Sequence, residues 1–204
     1  MPRDSEANEE LRAESRKRII AAARELFARR GYFTCKVTDV ARAAHMSPGN
    51  VYWYFKSKDD LLREVLAEGF IAQDELLVNV ANLPGNSQTR IRALVTEYIA
   101  YYSRNSDFIQ ITLSLLSHSG IGFFHTLGLD SPQIGARFHT QLTQVLAQAT
   151  RENPDCDTPP HELAQLLFAF LNGLAVTYGR QAFSRPSPTL ESALLRLLGY
   201  TDAV

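Results

Sequence analysis

Between positions 36 and 58 the chain reads KVTDVARAAHMSPGNVYWYFKSK, and this stretch restricts the fold more tightly than any other. Val37, Val40, Ala41 and Ala44 recur at helical spacing and make one small apolar face. His45-Met46 interrupt that face, and Ser47-Pro48 restart the helix. Serine is a strong N-cap, and proline suits the first helical position, where its missing N–H is not needed. From Pro48 each residue turns the helix by about 100°. Val51 and Phe55 therefore point back at the first helix, while Gly49, Asn50, Trp53 and Tyr54 share the opposite arc, with Tyr52 on its flank. Two short helices and a tight turn of this kind make a helix-turn-helix, with residues 48–55 as its recognition helix.

An outward arc of one Asn, one Trp and two Tyr is costly to leave bare unless a partner covers it. Asn pairs with adenine edges, aromatic rings touch thymine methyls and sugars, and Tyr hydroxyls reach phosphates. Glycine lets a backbone come close. Lys56 and Lys58 follow where a duplex backbone would run, and Lys36 and Thr38 flank the arc from the preceding helix. The candidate DNA contacts are thus Lys36, Thr38, Ser47, Gly49, Asn50, Tyr52, Trp53, Tyr54 and Lys58. Charge supports this. The whole chain has a net charge of −1, but residues 12–58 hold 11 Lys and Arg against 3 Asp and Glu, a balance of +8, and the remainder stands at −9. A basic module on an acidic body suits a ligand whose affinity is dominated by phosphate neutralisation.

These residues resemble the TetR family of bacterial transcriptional regulators. The resemblance is carried by RIIAAARELFARRGYF at 18–33, by VTDVARAAHMSPGNVYWYFKSKDDLL at 37–62, and by the spacing between them. It covers about the first third of the chain. Lys36 departs from the pattern, which places a small hydroxyl residue at the head of that helix. Either Thr34 caps one turn early, or the cap is weak and Lys36 serves as a further phosphate contact. The resemblance implies an all-α chain with a three-helix DNA-binding domain followed by a larger helical body for ligand binding and dimerisation. The divisions expected are a disordered tail at 1–11, a DNA-binding domain at 12–60 with the start of a fourth helix to about 73, and a body at 61–204. The function implied is a cytoplasmic, homodimeric regulator, most simply a repressor released from operator DNA by a small effector. The alternative is a DNA-binding or architectural protein with no effector.

The remaining sequence reads as helices throughout, with no convincing strand alternation. The first helix is expected from about 11 or 14 to Arg30, its stripe being Ile19, Ile20, Ala23, Leu26 and Phe27, with Gly31 as the stop. Ser57, with Asp60 three residues on, opens a fourth helix that continues through Val80. Turn formers at 82–87 precede helices at 89–104 and 106–117. An irregular aromatic connection at 123–129 leads to a long amphipathic helix at 131–152. Residues 160–183 form the most apolar helix, and 190–198 the last. A helix apolar around most of its circumference must be buried on two sides, one of them by a partner. Leu163, Leu167, Phe170, Leu174, Leu194 and Leu198 are the expected residues of a dimer interface built from these two helices and their copies.

Enzyme chemistry finds no support. None of the histidines at 45, 118, 125, 139 and 161 has a carboxylate or cysteine at metal-ligand spacing, so no metal or cofactor is expected. Ser117-His118-Ser119-Gly120 lacks the glycine a nucleophile elbow needs before its serine. Cys35 and Cys156 are too far apart to suggest a disulfide framework, which favours a reducing cytosol. Apolar runs are too short to span a bilayer. The resemblance implies a ligand cavity in the body. Tyr98, Phe108, Phe138 and Phe168 are its candidate walls, and Thr112, Gln141 and Asn172 are the polar groups best placed to orient a ligand. With no Lys and little Arg in those stripes, the effector is expected to be largely apolar.

Overall fold

A computed structural model describes residues 3–120, 122–129, 131–153, 156–183 and 188–200, with the side chains of 3–6 and 131–138 outside that description. The chain runs through α1 (Arg3–Arg30), α2 (Val37–Ala43), α3 (Pro48–Tyr54), α4 (Lys58–Ala81), α5 (Ser87–Arg104), α6 (Ser106–Ser119), α7 (Gly122–Thr126), α8 (Ser131–Glu152) and α9 (Pro160–Tyr178). A 3-10 turn at Gly179–Phe183 leads to α10 (Pro188–Leu197). There is no strand among the described residues.

The N-terminal helices assemble on the apolar stripes that the periodicity defines. Ile19, Ile20, Ala23 and Phe27 of α1, Val40 and Ala41 of α2, Val51 of α3, and Leu61, Leu62, Val65 and Leu66 of α4 are all buried. Gly31 ends α1 at φ 80°, a left-handed conformation that glycine adopts without steric penalty. His45 takes the equivalent position after α2 at φ 57°, and the Met46 amide reaches back 2.8 Å to the Ala41 carbonyl. The turn between α2 and α3 is thereby closed by backbone alone. Ser57 caps α4, its hydroxyl accepting from the Asp60 amide at 3.0 Å.

Helix α4 has 24 residues, about 36 Å at 1.5 Å per residue, and serves both halves of the molecule. Its first half packs against α1, and farther along it meets α5, α6 and α8. Helices α8 and α9 pair, α5 lies against α8 and α10, and Tyr98, Tyr101 and Tyr102 of α5 are buried among them. One connected apolar cluster runs from Ile19 to Tyr200, with no gap between the helix-turn-helix and the body.

Several boundaries differ from expectation. The expected tail is helical from Arg3: it contains no glycine, and Asp4, Glu6, Glu9 and Glu10 favour the positive end of a helix dipole. The aromatic connection contains the short α7, closed by a Thr126 hydroxyl donating to the Phe123 carbonyl at 2.7 Å. The most apolar helix stops at Tyr178, where Gly179 turns left-handed at φ 58° and the chain tightens into the 3-10 turn.

Candidate nucleic-acid interface

Helix α3 is set by its own first turn. The Ser47 hydroxyl accepts from the Asn50 amide at 3.2 Å, and Pro48 occupies the first helical position. Val51 is fully buried and Phe55 nearly so, which fixes the rotation of the helix. Gly49 and Asn50 face solvent, as do Tyr52 at 52% and Trp53 at 64% exposure. Nothing but the Ser47 hydroxyl lies within 4 Å of where a Gly49 side chain would begin, so that surface is open to close approach. Tyr54 is half-buried against the core, and its ring meets Trp53 edge-on at 4.7 Å. It buttresses the arc more than it extends it.

Cations gather around this arc. Arg12, in the third turn of α1, places its guanidinium 5.4 Å from the Trp53 ring centre, a cation–π distance. Periodicity along α1 alone carries no sign of this contact, because it depends on where α3 is packed. Arg16 is held at 2.8 Å by Glu64 and lies over Phe55, while Lys17 and Arg18 are exposed. Lys36 and Thr38 are exposed at the head of α2. The Lys36 amide donates to the Asp39 carboxylate at 3.1 Å, so Asp39 closes the helix start. Thr34 faces the other way: its hydroxyl hydrogen-bonds to the Arg30 and Gly31 carbonyls at the end of α1. It is not an early cap for α2.

Lys58, expected as a phosphate contact, has its ammonium engaged within the protein. Its ammonium donates to the carbonyls of Tyr32 at 2.9 Å and Cys35 at 3.0 Å, and lies 4.1 Å from the Tyr32 ring centre. The next residue, Asp59, accepts the Tyr32 hydroxyl. Burial and that carboxylate push the Tyr32 phenol far above its ordinary range, and burial also raises the Cys35 thiol.

In the body, Tyr98 and Phe108 are buried, and Phe168 is half-buried with its ring edge-on to His139 at 5.8 Å. The side chain of Phe138 lies outside the described residues. Asn172 accepts from the Tyr102 hydroxyl at 2.8 Å. The Thr112 hydroxyl and the Gln141 carbonyl oxygen are buried and meet no protein partner among the described residues. Buried polar groups are normally satisfied, so each needs water or a ligand. A cleft of about 250 Å³ lies between α1, α4 and the α5–α6 junction, lined by Arg24, Glu68, Gly69, Arg104, Asp107 and Phe108 among others, so that Phe108 borders it while Tyr98 and Phe168 do not.

The dimer residues divide. Leu163, Leu167, Leu194 and Leu198 are fully buried within one chain, and Leu174 is half-buried. Those four cannot face a partner, because they already fill the protomer's own core. Phe170 at 40% exposure stays outside, joined by Leu166 at 46% and Val176 at 70%. Ala169 and Gly173 lie on the same exposed side of α9. No described helix is long and apolar enough to cross a membrane, and no group of three or more metal-ligating side chains occurs among the described residues.

A capped second helix with an exposed amide and aromatic arc, surrounded by cations and carried on a helical body, has the geometry of a helix-turn-helix module. Residues 19–65 match the bacterial regulatory proteins of the tetR family. The chain is 47% identical over 49 residues to the HTH-type transcriptional regulator HbdR of Aromatoleum sp. (strain CIB), covering 24% of this chain and 21% of that one. It is 33% identical over 84 residues to the HTH-type transcriptional regulator AcrR of Shigella flexneri, covering 40% and 39%. The matches thus span well under half the length of these relatives. The fold as a whole is similar to that of the fatty acid degradation regulator FadR from Bacillus halodurans, with a TM-score of 0.70 over 91% of this chain and 93% of that one, at 18% identity. Over residues 19–65 the chain is thus similar to the bacterial regulatory proteins of the tetR family, and the similarity of fold continues through the helical body.

Proposed function

We propose that the protein is a ligand-responsive repressor that binds duplex operator DNA as a two-fold dimer and releases it when a small, largely apolar effector fills the body. The DNA-reading part is residues 12–60 with the first half of α4, and the rest is the sensing and dimerising body. The outward arc of α3 carries the reading: Gly49, Asn50, Tyr52 and Trp53 open to solvent on a helix whose opposite face is buried. Lys36 and Thr38 contact phosphates beside it, Ser47 fixes the helix start, and Tyr54 supports Trp53. Two such helices joined by the exposed side of α9, with α10 beside it, would read half-sites separated by whole turns of the duplex.

The unpartnered Thr112 hydroxyl and Gln141 carbonyl support an effector with at least one hydrogen-bonding group on an otherwise apolar frame. Tyr98, Phe108 and Phe168 belong to the same body, and Asn172, occupied by Tyr102, is a weaker candidate. The test begins with selection of a duplex from a random pool on the wild-type protein. Asn50→Ala should then relax preference at one or two base positions, costing roughly 1–3 kcal/mol there. Wild-type affinity in a variant lacking both the Trp53 and Tyr54 side chains would overturn the assignment.

A further inference from the structure

We propose that Lys58 is an internal positioning residue that holds the recognition helix in register with α4, and not a phosphate contact. The inference uses the DNA-binding reading only where binding is measured. Lys58 is the first residue of α4, the positive end of that helix dipole, where a cation is disfavoured. Its placement there is offset by two carbonyls, Tyr32 at 2.9 Å and Cys35 at 3.0 Å, and by the Tyr32 ring.

Those carbonyls belong to the segment joining α1 to α2, which has neither helix nor strand to satisfy it. Tyr32 and Cys35 are themselves buried, so each carbonyl needs a donor from within the protein. Lys58 supplies both with two of its three N–H groups. Asp59 completes the clasp by accepting the Tyr32 hydroxyl, so Tyr32 is held at its carbonyl and ring by one residue and at its hydroxyl by the next. The held segment leads directly into Lys36, the N-cap of α2, and α2 packs on α3. The ammonium therefore ties the start of α4 to the start of the helix-turn-helix.

The two roles leave different signatures. A phosphate contact, once removed, weakens all duplexes alike and makes the slope of log affinity against log salt shallower by about 0.9. A positioning residue, once removed, misplaces α3. Binding to the selected duplex then falls while binding to an unrelated duplex and the salt slope hold. With Lys58→Met we expect at least a tenfold loss on the selected duplex, less than twofold on a scrambled one, an unchanged slope, and a lower melting temperature without DNA. Equal losses on both duplexes with a shallower slope and an unchanged melting temperature would overturn the proposal.

Should Lys58→Met fail to fold, nitrogen-15 spectra of the lysine ammonium groups in the wild type decide the matter. A slowly exchanging Lys58 ammonium in the free protein, unchanged on adding DNA, is the expected result. A signal that sharpens only in the complex would refute it. If the wild type selected no duplex at all, the DNA-binding reading would fall, while the melting and ammonium measurements would still test the clasp.

Discussion

Gly69→Ala is a substitution whose sign the local geometry decides against helix propensity. Gly69 lies in the middle of α4, where alanine should gain about 1 kcal/mol over glycine. The space is already taken. A Cβ at position 69 would lie 2.5 Å from Cε2 of Phe108 and closer still to its Cγ and Cδ2. Carbon atoms rest at about 3.5–4.0 Å, so the ring must retreat by roughly an ångström or more. Its escape is limited, because Phe70 and Tyr101 stand edge-on to it at 5.1 and 6.4 Å. Cγ lies beside the backbone, so the ring cannot swing clear without moving α6. Overpacking of this kind costs about 1–3 kcal/mol. The buried Tyr101 hydroxyl donates to the Gly69 carbonyl at 3.0 Å, and a shifted helix puts about 1 kcal/mol more at risk.

The net expectation is a loss of about 1–3 kcal/mol, or about 2–12 °C in melting temperature for a chain of this size. Thermal and urea unfolding at fixed protomer concentration measure it. The decisive comparison is the same change in a Phe108→Ala background, where the ring is gone. There Gly69→Ala should stabilise by about 1 kcal/mol, and the change of sign is the coupling between the two positions. Stabilisation in the wild-type background, or the same effect in both, would refute the close-packing account.

Phe170→Asp should leave helix content intact, since Phe170 faces solvent in the protomer, yet halve the mass seen in sedimentation at micromolar concentration; Leu167→Asp, in the core, should instead unfold the chain. Burial raises the phenols of Tyr98, Tyr101 and Tyr102 above the ordinary value near 10. Stability from keeping them protonated is therefore complete below about pH 10 and is lost as pH climbs towards their folded values, so phenolate absorbance should rise together with unfolding at alkaline pH and not before it. A maleimide should label one thiol per native chain, at the half-exposed Cys156, and two after unfolding, because Cys35 is buried with its Sγ 3.4 Å from the Leu26 carbonyl. Rapid native labelling of Cys35 would contradict that placement.

The sequence was most readable where the physics is local. The break at His45-Met46, the Ser47 cap, Pro48 at the first helical position and the buried Val51–Phe55 pair depend on neighbours within a turn, and α2 and α3 formed where they point. The start of α1 was less legible, because residues 3–11 carry no cap or core stripe and only their helix-compatible composition argues for a helix. Lys58 shows a deeper limit. Its position after the recognition helix is equally compatible with a phosphate outside and with carbonyls inside, and those carbonyls arrive from positions 26 and 23 residues earlier. Leu163 and Leu167 show another: on a helix apolar nearly all round, period alone does not say which face is the protomer's own core. Leu166 and Phe170, three positions along from Leu163 and Leu167, turned out to be the outward pair. Thr112 and Gln141 were legible as polar residues on apolar helices, but that the Thr112 hydroxyl and the Gln141 carbonyl oxygen meet no protein partner among the described residues is a fact of packing.

The two grips on α4 together constrain how the proposed effector could act. At its start the helix is tied by Lys58 and Asp59 to the segment that leads into α2. At its middle it is held by Phe108 against Gly69 and by the Tyr101 hydroxyl on the Gly69 carbonyl. The eleven helical steps from Lys58 to Gly69 make a rigid arm of about 16 Å. Tilting that arm by about 10° at Gly69 would move its start, and the recognition helix with it, by roughly 3 Å. In a dimer both arms move, and two recognition helices must sit about 34–36 Å apart to enter successive major grooves. A small displacement of Phe108 is therefore enough in principle to spoil the match, without any unfolding of the helix-turn-helix. An effector gains that leverage only through a difference in its affinity for the two positions of α4. A molecule that filled the body while leaving Phe108 seated on Gly69 would bind equally well in both and release nothing, however tightly it bound.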